Sequence, residues 1–168
     1  MIRIATAKDI PAIADLIFRA WQEDLIHMVS PSVASLFTLD WFASKLMADI
    51  EREAGFAILF ERDGVIQGYA AGKDCEERSM SELNSLYVCP RAQGAGIGSK
   101  LITEVKGVIM SSKKTSMIVW TFLGAKNNDF YQRHKPIRKD KRDIVILDQR
   151  YQGVGFLYSL EPLGEQPT

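Results

Sequence analysis

The stretch LYVCPRAQGAGIGSKLI, from Leu86 to Ile102, joins an apolar strand-like run to the start of an apolar helix pattern. Between them stand a proline and three glycines on alternate positions, Gly94, Gly96 and Gly98. Glycine loses more conformational freedom on folding than any other residue, so three of them in one connection need a physical reason. The usual reason is that another group must approach the main chain closely.

Two common phosphate-binding loops do not fit this stretch. The dinucleotide fingerprint GxGxxG requires a third glycine where Ser99 stands, and the Walker loop fails because Ser99-Lys100 lacks the required glycine spacing. What remains is the pattern Gln93-x-x-Gly96-x-Gly98, after a strand and before a helix. Bare N–H groups would converge there at the positive end of a helix, which favours an anion.

The composition is typical of a single globular domain, which we expect to cover residues 1–168. Of the residues, 46% are apolar and 25% are charged. Lysine plus arginine number 21 and aspartate plus glutamate number 21, so no bulk attraction to nucleic acid or membrane is expected. The N-terminus lacks the apolar core of a secretory signal, and the two cysteines form no CxxC pair. We therefore expect a cytoplasmic protein with reduced thiols.

Hydrophobic periodicity predicts the element order β-α-α-β-β-β-α-β-α-β-β, a mixed α/β or α+β sheet covered by helices. The first helix follows a short strand and runs to about Glu23, and Asp63-Gly64 joins two strand-like runs as a hairpin. The other elements are predicted at Leu39 to about Glu53, Ser81–Val88, the helix to about Met110, Ser116–Phe122, Lys126–His134, Ile144–Leu147 and Gly155–Leu160.

The remaining polar segments have plain interpretations. The basic run from Lys135 to Asp143 is interleaved with aspartates, which suits a solvated loop. The stretch Tyr151–Phe156 precedes no helix, so we interpret it as a turn into the last strand. His27 and His134 are isolated and show no metal-ligand spacing, so no metal is expected.

The loop and its flanks resemble the coenzyme A pyrophosphate loop of the GNAT acetyltransferases, whose signature is [Gln/Arg]-x-x-Gly-x-[Gly/Ala]. The opening IRIATAKDIPAIADL is similar to the family's first strand and helix, and the resemblance extends from residue 1 to about 133. It implies a mixed, mostly antiparallel sheet of six to seven strands flanked by about four helices. It also implies acetyl-CoA as co-substrate and direct transfer of its acetyl group to an amine.

The resemblance implies where the cofactor would bind. Strands Ser81–Val88 and Ser116–Phe122 would splay apart, with the thioester in the opening. The backbone of the first strand would bond the pantetheine arm as an added strand would, and the loop would wrap the pyrophosphate. The expected cofactor residues are Leu86, Tyr87, Val88, Gln93, Gly94, Ala95, Gly96, Ile97, Gly98, Ser99 and Asn128.

Two residues are the expected proton carriers. Tyr131 matches the tyrosine that the family places on its last helix as general acid, and a phenol pKa near 10 suits protonation of a leaving thiolate. Glu82 stands 11 residues before Gln93, the offset at which histone-acetylating members carry their base. A packed tyrosine and a solvated strand glutamate are the plain alternatives. The N–H of Val88 would serve the thioester carbonyl as an oxyanion hole.

The pattern around Tyr131 departs from the family. Gly124 and Asn127 stand in the places of asparagine and alanine, and Lys135-Pro136 replaces Gly-Phe. These departures keep a second function open, that of a non-catalytic acyl-CoA-binding or regulatory module.

The acceptor is expected to be a small-molecule or peptide amine. Trp21, Glu23 and Asp24 combine aromatic surface with carboxylates, which would suit a cationic amine, and they are the expected acceptor-binding residues. Neither nucleic acid nor membrane is expected as a partner. Whether the chain forms a homodimer stays open.

Overall fold

Seven strands form one sheet in the computed structural model, which describes residues 1–161. The rest of the predicted domain, residues 162–168, lies outside the described part. The strands are β1 (Ile2–Ile4), β2 (Gly55–Arg62), β3 (Val65–Asp74), β4 (Met80–Val88), β5 (Ser116–Phe122), β6 (Arg138–Ile146) and β7 (Gln149–Ser159). Their order across the sheet is β1-β2-β3-β4-β5-β7-β6, and only β4 and β5 run parallel.

Helices cover the sheet on both faces. They are α1 (Ile10–Ala20), α2 (Pro31–Ala34), α3 (Leu39–Glu51), α4 (Ile97–Ser111) and α5 (Asn128–Arg133). The short α2 is the one helix that the periodicity did not predict, although it begins with a Ser-Pro start signal. The hydroxyl of Ser30 accepts a hydrogen bond from the N–H of Val33, and proline occupies the first turn. Otherwise the order confirms the predicted fold class.

Two apolar clusters lie on opposite faces of the sheet. One contains Ile13 and Ile17 of α1 with Phe42 of α3, and the other contains Leu101 and Val105 of α4. Alternate residues along the strands feed the two clusters, as the period of a strand requires. Within residues 1–161 there is neither a helix long and apolar enough to cross a membrane nor a group of three metal-ligating side chains.

The C-terminal part differs from the prediction. Most of the run Lys135 to Asp143 is not a solvated loop but lies in β6, and Tyr151–Phe156 is not a turn but lies inside β7. β6 is an edge strand with mostly exposed side chains, which accounts for a sequence without clear apolar alternation. The turn between these strands is tight, with Leu147 at a φ of 56°.

Candidate active site

The parallel pair in the sheet is open at one end. β4 and β5 pair only where Met80–Glu82 lies opposite Ser116–Ile118. From Leu83 onward, no strand within the described residues pairs with the edge of β4 that faces β5, whereas the other edge stays paired with β3 as far as Val88. The backbone of β4 therefore offers unpaired polar groups along a gap, as a ligand that binds like an added strand requires.

The direction of the backbone brings two residues of β4 to this gap. The N–H of Cys89 donates to the carbonyl of Gln67 in β3 at 2.9 Å. Since N–H groups alternate in direction along a strand, those of Val88 and Leu86 point away from β3 and toward the gap. The backbone of Tyr87 faces β3 instead.

The glycine loop turns the chain from β4 into α4. Gly94 and Gly96 have φ values of 80° and 79°, in the left-handed region that glycine adopts without strain. Gly98 packs closely under α5, because a Cβ there would lie 3.1 Å from the Phe130 ring and would require that ring to shift by a few tenths of an ångström. α4 begins at Ile97, so its free N–H groups and positive end lie next to the loop.

A groove of about 560 Å³ runs along this loop and is called the loop groove below. Its wall opposite the loop comes from α5 and the residues before it. At its edge, the side-chain amide of Gln93 donates to Asp24 at 2.9 Å, and Lys126 donates to the same carboxylate at 3.2 Å. The loop side is lined by Leu86, Tyr87, Val88, Ala92, Gln93, Gly94, Gly96, Ile97, Gly98 and Ser99.

A second space of about 750 Å³, called the aromatic cavity below, lies between α1, α3 and the strands. Its lining includes the aromatic residues Trp21, Phe37, Trp41, Phe42, Tyr87, Trp120, Phe122 and Tyr131. The residues that line both spaces are Leu25, Leu86, Tyr87, Asn127 and Tyr131. The loop groove and the aromatic cavity therefore meet at the β4–β5 gap.

Tyr131 stands at this meeting point. Its ring packs against Phe156 with the centroids 5.6 Å apart, and the hydroxyl of Tyr158 donates to the carbonyl of Tyr131 at 2.6 Å. Burial raises the pKa of the Tyr131 hydroxyl above its usual value near 10. The phenol therefore keeps its proton at neutral pH.

Comparison with known families decides what this arrangement is. The Acetyltransferase (GNAT) domain matches residues 43–135, more than half of the chain, and this part includes the gap, the loop and α5. The chain belongs to the GNAT acetyltransferase family. A search with this chain found no match among curated protein sequences.

Solved structures share the GNAT fold over almost the whole chain. An N-acetyltransferase from Thermoplasma acidophilum, in complex with coenzyme A, is 11% identical with a TM-score of 0.70, covering 94% of this chain and 98% of its own. A ribosomal-protein-alanine N-acetyltransferase from Brucella melitensis is 22% identical with a TM-score of 0.72, covering 95% and 99%. An N-acetyltransferase from Staphylococcus aureus Mu50 is 18% identical with a TM-score of 0.72, covering 96% and 98%. At these identities the likeness shows the fold alone.

Two of the residues expected to hold the cofactor lie outside the lining of the loop groove. Ala95 is exposed in the loop. The side-chain amide of Asn128 donates to the carbonyl of Phe122 at 3.0 Å, so it satisfies the last carbonyl of β5. Its neighbour Asn127 lines both spaces and accepts a hydrogen bond from Thr121 at 2.9 Å. The amide that faces the gap is thus that of Asn127.

Two cations in the loop groove were missed in the sequence. Lys126 and Arg133 line the wall that faces the glycine loop. Lys126 is paired with Asp24, and Asp129 also lines this wall, so Arg133 is the cation of the groove for which no ion pair is recorded among the described residues. A guanidinium beside N–H groups suits a phosphate. Both residues belong to the segment Lys126–His134 that the sequence predicted as the helix of Tyr131, which was the available signal.

The three residues expected to bind the acceptor separate in the structure. Trp21 lines the aromatic cavity, where its indole N–H donates to the hydroxyl of Tyr87 at 3.1 Å. Asp24 lines the loop groove, and Glu23 is exposed and lines neither space. The structure therefore does not bring the three side chains to one of these spaces, and their role in binding the acceptor stays a prediction.

Glu82 lies in the short paired part of β4, opposite Ile118. Its carboxylate is 3.8 Å from the Lys73 ammonium and 3.9 Å from the Arg142 guanidinium. It lines neither space, but Arg142 stacks at 4.1 Å on the ring of Trp120, which does line the aromatic cavity. A proton could reach Glu82 from the cavity only through water, and its role as base stays a prediction.

Two of the positions where the sequence departs from the GNAT pattern have left-handed backbone conformations. Lys135 stands where the family has glycine and has a φ of 58°, a region that favours glycine. Gly124, at the asparagine place, has a φ of 81°.

Proposed function

We propose that this GNAT protein transfers the acetyl group of acetyl-CoA directly to an amine while both are bound. The observation that supports this most is the meeting of the loop groove and the aromatic cavity at the β4–β5 gap, with Tyr131 lining both. A donor in one space and an acceptor in the other would bring thioester and amine together. Such proximity lowers the barrier without a covalent enzyme intermediate.

Acetyl-CoA would occupy the loop groove. Its pyrophosphate would accept hydrogen bonds from the N–H groups of Gly94 to Ser99 at the positive end of α4, facing Lys126 and Arg133. Its pantetheine arm would pair with the free edge of β4 at Leu86 and Val88. That binding mode leaves the thioester in the gap.

The chemistry needs an oxyanion site and a proton for the thiolate. Attack by the neutral amine forms the C–N bond and moves an electron pair onto the carbonyl oxygen. The N–H of Val88, which points into the gap, would donate to that oxygen. The C=O bond then re-forms as the C–S bond breaks, and the thiolate would take the proton of the Tyr131 hydroxyl, which burial keeps protonated. The extra proton on the new amide nitrogen would pass to the tyrosinate through water and restore the phenol.

The amine must lose a proton before or during attack, because alkyl amines are mostly protonated at neutral pH. Glu82 is the proposed base, acting through water beside the Arg142 guanidinium that stacks on Trp120. Its carboxylate lies 3.8 Å from the Lys73 ammonium and 3.9 Å from the Arg142 guanidinium, and it would pass the proton on to solvent.

Thiol release from acetyl-CoA, measured with a panel of small and peptide amines, tests the proposal. Intersecting double-reciprocal plots at varied acetyl-CoA and amine are expected for a ternary complex, whereas parallel lines would indicate a covalent intermediate. Acetyl-CoA binding without thiol release for any amine would contradict the proposal. That result would support the non-catalytic acyl-CoA-binding or regulatory module.

A further inference from the structure

We infer that the acceptor is a primary amine with an aromatic body and no second positive charge. This inference rests on the proposed function, because it assigns the aromatic cavity to the acceptor. It goes further by excluding polycationic amines on the charge and shape of that cavity.

A continuous series of rings runs along the aromatic cavity. The ring centroids of Trp41 and Phe37 are 4.9 Å apart, and those of Phe37 and Trp21 are 4.5 Å apart. Phe122 continues the series at 6.0 Å from Trp21. Rings at these separations favour a further ring in an offset or edge-on position.

Several rings that line the aromatic cavity are not fully buried in the apolar core. Trp41, Tyr87 and Trp120 are only half-buried, so part of each ring is open to the cavity. At the mouth, Val145 and Leu147 are 59% and 58% exposed. Large apolar side chains left exposed around a concave site are typical of a surface that an apolar ligand covers.

The position of Trp120 is fixed independently of any ligand. A Cβ on Gly155 would lie 2.7 Å from the ring, so the glycine makes room for it, and the Arg142 guanidinium stacks at 4.1 Å from its centroid. A wall held in this way is ready before the acceptor arrives, which reduces the entropy cost of binding.

The charges of the cavity oppose a polycation. Among the described residues, its charged lining consists of Lys45, Asp49 and Arg52, two cations against one carboxylate. Asp49 is already engaged, because it lies 3.3 Å from Arg52 and accepts a hydrogen bond from Asn84 at 3.4 Å. A polyamine or aminosugar would therefore bring extra ammonium groups to a site with no unpaired carboxylate.

The orientation follows from where the two spaces meet. The reacting nitrogen must lie at the gap, beside Tyr131 and Leu86, because these residues line both spaces. The rest of the acceptor then extends toward Trp41 and Trp120. A ring fits this path, and a second ammonium would come to rest near Lys45 or Arg52.

Rates of thiol release with phenethylamine, propylamine and spermidine test the inference at saturating acetyl-CoA. We expect kcat/KM for phenethylamine to exceed that for spermidine by at least about ten-fold. Trp41→Ala should lower the phenethylamine value about ten-fold and lower the propylamine value much less, while the acetyl-CoA affinity stays unchanged because Trp41 does not line the loop groove. Trp41→Phe, which keeps a ring, should restore most of the loss. Tryptophan fluorescence of the CoA-loaded protein reports amine binding independently of turnover.

The outcomes separate the inference from the proposed function. Equal or higher kcat/KM for spermidine would overturn the inference while leaving acetyl transfer intact. Intact acetyl-CoA binding, with neither turnover of phenethylamine nor a fluorescence change on adding it, would overturn it too. Failure to bind acetyl-CoA at all would instead contradict the proposed function.

Discussion

The loop groove and the aromatic cavity meet at one gap but are built in different ways. The loop groove takes backbone groups from one continuous stretch, Leu86 to Ser99, and needs left-handed φ values at Gly94 and Gly96. The aromatic cavity takes side chains from α1, α3, β4, β5 and the end of β6. A backbone-built site leaves glycines at fixed positions, whereas a site assembled from separate elements leaves no spacing to find.

The largest effect should come from a substitution in the loop. Gly96→Asp adds bulk and negative charge at the proposed pyrophosphate site, so acetyl-CoA affinity should fall at least about 100-fold, close to 3 kcal/mol. Gly64→Asp in the β2–β3 turn is a matched control, since Gly64 has a φ of 75° and, like Gly96, no atom within 4 Å of its Cβ position. Calorimetry on both folded variants checks this. Equal acetyl-CoA affinities in the two variants would show that the glycine loop does not bind the pyrophosphate.

The next effect concerns the junction of the two spaces. Tyr131→Phe removes only the transferable proton, so kcat should fall by about 100-fold with little change in acetyl-CoA affinity. Tyr151→Phe is the control, because its hydroxyl contacts Ser30 and Gln149 and lines neither space. Steady-state measurement of kcat for the two variants and the parent checks this prediction. A Tyr131→Phe enzyme as fast as the parent would return this tyrosine to a packing role.

A smaller effect is expected at Glu82, which does not line the aromatic cavity. Glu82→Gln should lower kcat/KM near neutral pH by less than about ten-fold, because the proton travels through water. The loss should shrink as rising pH deprotonates the free amine. Profiles of kcat/KM against pH for parent and variant that superimpose at every point would exclude Glu82 from the mechanism.

The smallest effect is expected on the alkaline side. A tyrosine that donates a proton fails once it ionises, which for an ordinary phenol happens near pH 10. Burial raises the pKa of Tyr131, so the neutral acid should persist beyond that pH. We therefore expect kcat to stay flat up to about pH 10. A descending limb with a midpoint below that value would show that Tyr131 is solvated or is not the acid.

The sequence predicted the parts of the fold that depend on local chemistry. Asp63-Gly64 was predicted as a hairpin turn, and both residues have positive φ, at 52° and 75°. The glycines also predicted that a helix begins directly after the loop, and α4 does begin at Ile97, after Gly96 with its positive φ of 79°. The end of β6 was predicted at Ile144–Leu147, but its first part, from Arg138 to Asp143, was missed. An edge strand exposed to solvent has no apolar face there, so its pattern does not differ from that of a polar loop.

The candidate site divides in the same way. The loop residues were predicted from their glycines, but Trp41, Asp49 and Trp120 were not, since they lie far apart in the sequence, on α3 and β5, and share a cavity only in the folded chain. Trp21, Glu23 and Asp24 were grouped because they are close in sequence. Their side chains point in different directions from one helical turn, and only Trp21 reaches the aromatic cavity.

The most direct test of this arrangement is a crystal structure of the protein with coenzyme A. We expect the pyrophosphate within hydrogen-bonding distance of the N–H groups of Gly94 to Ser99, and the pantetheine arm paired with Leu86 and Val88. The thiol should lie in the β4–β5 gap beside the hydroxyl of Tyr131. Coenzyme A bound outside the loop groove, or with its thiol pointing away from the gap, would contradict the arrangement.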